Sequence, residues 1–228
     1  MRIIIIFAAV GLPLFLLSRD IYGSFLFTIP AVLLWQIGVR NRPLSCLGTG
    51  RPSLSSLAIG LASGLALGLA CGQLLRLLGI TGYTLGSSHA WEYSLGKITI
   101  VLPIGRELGY RLLVGSTTLK GIFLYLLFCL VAVGFGEELF WRGFLQERFT
   151  AYLPARAALL ITALLFSLSH FYIITITPLA AGLSFLLLIA AAGFIWGYMY
   201  FYFGTIWPGV LSHALCVFII WKYYFFQV

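Results

Sequence analysis

Between Gly121 and Gly136 the chain carries no charge, and it then sets two carboxylates side by side, Glu137 and Glu138, with Arg142 four residues beyond the second. Apolar runs of similar length recur along most of the sequence. About 20 such residues suffice to cross a bilayer as a helix. The chain is 61% hydrophobic and 9% charged, where a soluble domain carries roughly 25% charged residues. No polar stretch is long enough for a soluble domain. The expected fold is therefore all-α, a polytopic transmembrane bundle of about seven or eight helices forming a single integral membrane domain over residues 1–228. Residues 121–221 hold the helices that bear the polar candidates.

The spans are expected at about 3–18, 21–39, 54–75, 121–149, 156–176, 179–203 and 205–221. Pro178, Gly204 and Pro208 punctuate the last boundaries. The fourth is too long for one straight span at 1.5 Å per residue, so a kink, or an exit along the surface, is expected near Gly134–Gly136. Gly60, Gly64 and Gly68 form two overlapping GxxxG patterns, which permit close helix packing. Gly79 to Ser88 reads as a loop, and Lys97 to Lys120 as an interfacial helix in which Glu107 and Arg111 pair. The first span follows Arg2 but lacks a convincing cleavage site, so it reads as a retained helix.

The net charge of +8 does not indicate nucleic-acid binding. The basic residues stand singly or in pairs between apolar runs, where they act as anchors and topology signals. Arg40, Arg42 and Arg51 place the loop at 40–56 in the cytoplasm. Cys46, Cys71, Cys129 and Cys216 show no CxxC spacing and read as small core residues, not disulfides or metal ligands.

Ionisable residues at membrane depth are rare and face a bundle interior or a wet cavity. Here they are Glu137, Glu138, Arg142, His170 and His213, on three separate apolar segments. His89, in a Gly/Ser loop, reads as solvated. Glu138 and Arg142, four apart, share a helix face, while Glu137 is turned roughly 100° away. One carboxylate is thus held by the arginine and the other is left for chemistry. A Glu and a His converging on one water activate it as a nucleophile, and a second His holds the oxyanion. The same Glu and two His also make a plausible zinc set, although no HExxH pair is present. Spacing alone does not choose between them.

The segments EELFWR (Glu137, Glu138, Arg142) and FSLSH (Phe166, His170), followed by His213, resemble the CPBP family of CAAX prenyl endopeptidases and bacteriocin-processing or immunity proteins. The family pattern is EExxxR, FxxxH, then HxxxN on successive helices, and the resemblance covers about 137–217. It implies a glutamate-type intramembrane endopeptidase without a cofactor. Glu137 and His170 would activate water, Glu138 and Arg142 hold the helix, His213 stabilise the intermediate and Phe166 contact substrate. The implied partner is a peptide or protein with a membrane-embedded or membrane-proximal tail, and the implied location is a bacterial inner membrane. Val217 stands where the pattern has Asn. It offers no donor, which leaves His213 alone, or with Ser212 or Ser169, to hold the oxyanion. A catalytically silent binding or immunity protein, a zinc-dependent protease and a proton-coupled transporter are the alternatives, the last without visible repeats to support it.

Overall fold

The computed structural model describes residues 44–77, 92–95, 98–101, 117–175 and 178–225. After a 3-10 turn at Leu44–Leu47 come helix α1 (Leu54–Leu77), a hairpin of β1 (Glu92–Leu95) and β2 (Ile98–Val101), α2 (Leu119–Thr150) and α3 (Ala155–Leu168). A second 3-10 turn at Phe171–Thr175 precedes α4 (Leu179–Phe203) and α5 (Trp207–Ile219), which goes on as wider π-type turns to Phe225. The protein is thus predominantly helical. Among the described residues α1, α2 and α4 are long and apolar enough to cross a membrane, and α3 is a shorter apolar helix. The first two expected spans, His89, and the Glu107–Arg111 pair lie outside the described residues. The interfacial helix expected from Lys97 is not what forms at its start, because Ile98–Val101 pairs antiparallel with Glu92–Leu95. A β-branched run, Ile98-Thr99-Ile100-Val101, suits a strand.

Helix α1 turns the usual packing rule around. Its leucines at 61, 65 and 69 are exposed, while Gly60, Gly64, Gly68 and Gly72 are buried. A Cβ built on Gly60 would lie 2.7 Å from the Pro208 carbonyl oxygen, one on Gly64 2.7 Å from that of Ser212, and one on Gly68 2.9 Å from Ile219 Cβ. In lipid, leucine gains nothing by leaving the surface, and close backbone approach drives association. The glycine stripe therefore lies along α5, and the residue order shows that the two helices run parallel.

Helix α4 meets α2 by a related device. Arg142 Nη2 donates to the Gly193 carbonyl at 2.8 Å, and Gln146 Nε2 donates to the Gly197 carbonyl at 3.0 Å. Each pair is four residues apart, so one face of α2 is laced to one face of α4 over a full turn. Where a kink is expected, α2 continues through two π-type stretches, Cys129–Phe135 and Leu139–Gln146, on either side of Gly136–Glu138. Such wide turns occur often at functional sites.

One end of the bundle is tied by short contacts. The Gly48 carbonyl accepts from Ile206 N–H and Thr205 Oγ1, both at 2.9 Å, and Gly143 lies against Leu47. By helix direction Arg51, Arg148 and Arg156 lie toward this end, and Arg76, Lys120 and Lys222 toward the other.

Candidate active site

Helices α1, α2 and α5, the end of α3 and one face of α4 surround a cavity of about 100 Å³. Glu137, Phe166, His170, His213 and Val217 all line it. The convergence expected of the three ionisable residues is present. The expected polar character is not. Ile173, Phe185, Leu188, Ile189, Ile220 and Trp221 make most of the wall apolar, with the titratable groups gathered against it.

Glu138 does not line the cavity. Its Oε1 accepts from Arg142 Nη1 at 2.7 Å and lies 3.1 Å from His213 Nδ1. Arg142 is fully buried, and its guanidinium also covers the Phe166 ring at 4.9 Å and the Trp196 ring at 5.6 Å. A buried ion pair holds only when its remaining hydrogen-bonding capacity is met, and the Gly193 carbonyl takes a second guanidinium arm. Glu138 Oε2 has no hydrogen-bond partner among the described residues and faces Gly209, where a Cβ would come within 2.7 Å of it. Only glycine leaves room for the carboxylate at that point.

A carboxylate fixed by arginine accepts and does not donate, so the contact with His213 Nδ1 puts the ring proton on that nitrogen. The lone pair then sits on Nε2, which lies 3.9 Å from Glu137 Oε2. That separation is too long for a direct hydrogen bond and suits a bridging water. Glu137 Oε2 itself is buried without a hydrogen-bond partner. The carboxylate expected to be left for chemistry is the one the fold leaves unpaired.

His170 departs from the mid-helix position that a span over 156–176 implies. Helix α3 stops at Leu168, and His170 stands in the break before the 3-10 turn. The cause is local. His170 N–H bonds tightly to the Ser167 carbonyl, which leaves the Phe166 carbonyl without its helical partner. Ser169 Oγ donates to that carbonyl at 2.6 Å and His170 Nδ1 lies 3.0 Å from it. Serine and histidine side chains thus replace the ladder and end the helix. A carbonyl only accepts, so Nδ1 carries the proton here too and Nε2 carries the lone pair. Phe166 packs edge-on against both rings, with centroids 5.0 Å from His170 and 5.8 Å from His213.

Val217 shares the cavity wall with His213, as one helical turn predicts. The two serines named as substitute donors point elsewhere. Ser212 Oγ bonds with Trp196 Nε1 at 2.9 Å and Ser63 Oγ at 3.0 Å, while Ser169 is committed to Phe166. Trp196 is the residue that the motif reading overlooks. Its indole stacks on His213 at 3.9 Å with an 18° interplanar angle, which fixes the plane of the imidazole. Its place between Gly193 and Gly197, a GxxxG pattern on α4, is the signal in the sequence that this face is packed closely. Among the described residues no three His, Cys, Asp or Glu side chains group closely enough to hold a metal ion.

Comparison with curated proteins and with solved structures yields no match. Comparison with protein families yields one over residues 118–219, the family described as type II CAAX prenyl endopeptidase Rce1-like. The match begins one residue before α2 and ends with the last residue of α5, so it encloses Glu137, His170 and His213. Over residues 118–219 the chain is thus similar to the Rce1-like type II CAAX prenyl endopeptidases.

Proposed function

We propose that the protein is an intramembrane endopeptidase of glutamate type, cleaving a peptide whose tail lies in or beside the membrane. The match of residues 118–219 to a CAAX prenyl endopeptidase family supports the reaction class. The observation that carries the mechanism is the separation of the two carboxylates. Glu138 is held by Arg142 and His213, while Glu137 faces the cavity with an unpartnered oxygen.

In this reading a water bound by Glu137 and His170 attacks the scissile carbonyl. Glu137 takes its proton as general base and passes it to the leaving amine. His213 is held by Glu138 on one side and Trp196 on its face, and as the imidazolium, with Nδ1–H on Glu138 and a second proton taken up on Nε2, it donates to the developing oxyanion. Phe166 contacts substrate on the cavity floor. No cofactor takes part. The protein is an integral membrane protein, and we place it in a bacterial inner membrane.

The test uses full-length protein in proteoliposomes and a farnesylated CAAX-type reporter peptide, with and without a chelator. Cleavage that survives chelation and is lost in Glu137→Gln is expected. Loss on chelation that zinc restores would move the assignment to a metalloprotease. Val217 on the cavity wall favours one competing reading, a silent member of the fold that binds a peptide. Tight reporter binding with no cleavage by the wild type would establish it.

A further inference from the structure

Cys71 and Cys216 come from different helices, α1 and α5, yet both line the cavity that holds Glu137 and His213. Cys71 packs against the buried cluster that holds Cys216. Both are free cysteines. The helices that carry them are held at minimum separation, because the Gly68 face of α1 would set a Cβ only 3.2 Å from Cys216 Cα. A disulfide needs Cα atoms about 4.4–6.8 Å apart, and only closely packed helices bring two backbones that near.

We infer that Cys71 and Cys216 are a redox modification site, a thiol pair that closes to a reversible disulfide across the cavity and regulates the site proposed above. The inference rests on that reading only for its effect on cleavage, not for the chemistry of the pair. A lipid-soluble organic hydroperoxide is the class of oxidant that fits an apolar cavity. One sulfur attacks the peroxide oxygen, the O–O bond breaks, and an alcohol and a sulfenic acid form. The second sulfur then displaces water from the sulfenic acid. Two thiols and one hydroperoxide give one disulfide, one alcohol and one water. Thiols buried in apolar surroundings are ordinarily inert. This pair differs in facing a cavity, and His213 stands three residues before Cys216 on the same helix face, where its imidazole accepts the thiol proton.

Cys71 lies about 25 Å along α1 from Leu54 at 1.5 Å per residue, toward the end of the bundle opposite Arg51, Arg148 and Arg156. The linkage would join α1, which lies outside the family match, to the helix that carries His213.

The test treats full-length protein in proteoliposomes with tert-butyl hydroperoxide. Non-reduced peptides are mapped by mass spectrometry, and cleavage of the farnesylated reporter is followed before oxidation, after it, and after dithiothreitol. A peptide linked through Cys71 and Cys216 is expected. Cleavage should fall on the order of tenfold or more, the effect of a small displacement at a reacting centre, and return on reduction. Cys71→Ser should show equal cleavage with and without oxidant. Oxidised protein in which the two thiols stay free, or are capped singly, would overturn the proposal, as would a linkage that leaves cleavage unchanged. A linkage that forms and reverses in protein with no cleavage in either state would uphold the thiol pair and refute the peptidase reading.

Discussion

Glu137 and Glu138 are adjacent and chemically identical, and their surroundings alone give them different work. Glu138 accepts from Arg142 at 2.7 Å, whereas Glu137 Oε2 has no partner. Two substitutions should separate them. Glu137→Gln keeps the shape and removes the base, so cleavage should fall by ~10²-fold or more with little change in thermal stability. Arg142→Met leaves the Glu138 carboxylate buried without its cation, and breaking such a pair costs about 3–5 kcal/mol. A thermal-shift measurement in detergent should show a large loss for Arg142→Met and almost none for Glu137→Gln. A third residue-scale expectation concerns Val217. Its neighbours on the wall are apolar, and the serines do not face the cavity, so His213 carries the oxyanion. His213→Ala should cost ~10²–10³-fold, the range for losing one such donor, while Val217→Asn should leave the reporter rate unchanged or raise it.

At the scale of elements, the glycines decide which helices meet. Gly64 leaves 2.7 Å between a missing Cβ and the Ser212 carbonyl oxygen, and Ser212 directly precedes His213. Gly64→Val should therefore push α1 off α5 and destabilise the folded protein, by a few kcal/mol if it acts as core overpacking does. Gly50, with nothing within 4 Å of its missing Cβ, is the control, and Gly50→Ala should unfold at the wild-type temperature. The GxxxG stripe was legible in the sequence because close packing in lipid depends on a residue pattern. So were the limits of α1, α4 and α5, where Pro, Gly and apolar length coincide. The end of α3 was not legible. It depends on Ser169 and His170 turning back to the Phe166 carbonyl, a competition between side chain and backbone that apolar length does not report. The strand at Ile98–Val101 escaped for a related reason, since a short apolar run with flanking charges suits either a strand or an interfacial helix.

For the whole molecule, the site is an intersection. Glu137 comes from α2, His170 from the break after α3, His213 from α5, and Trp196, which stacks on His213, from α4. The residue types and their order were legible, because ionisable groups at membrane depth are costly enough to stand out. Trp196 was not, since an indole among many aromatics carries no such mark, and neither was the apolar character of the cavity, which depends on which faces of five helices meet. The central claim is that Glu137 and His170 act together on one water. A double-mutant cycle tests it most directly, with reporter cleavage measured for wild type, Glu137→Gln, His170→Ala and the double variant in proteoliposomes. Residues that work as a unit are grossly non-additive. The double variant should cleave no more slowly than the worse single one. A double variant slowed by the product of the two single effects would show that the residues act independently, and the shared-water mechanism would be wrong.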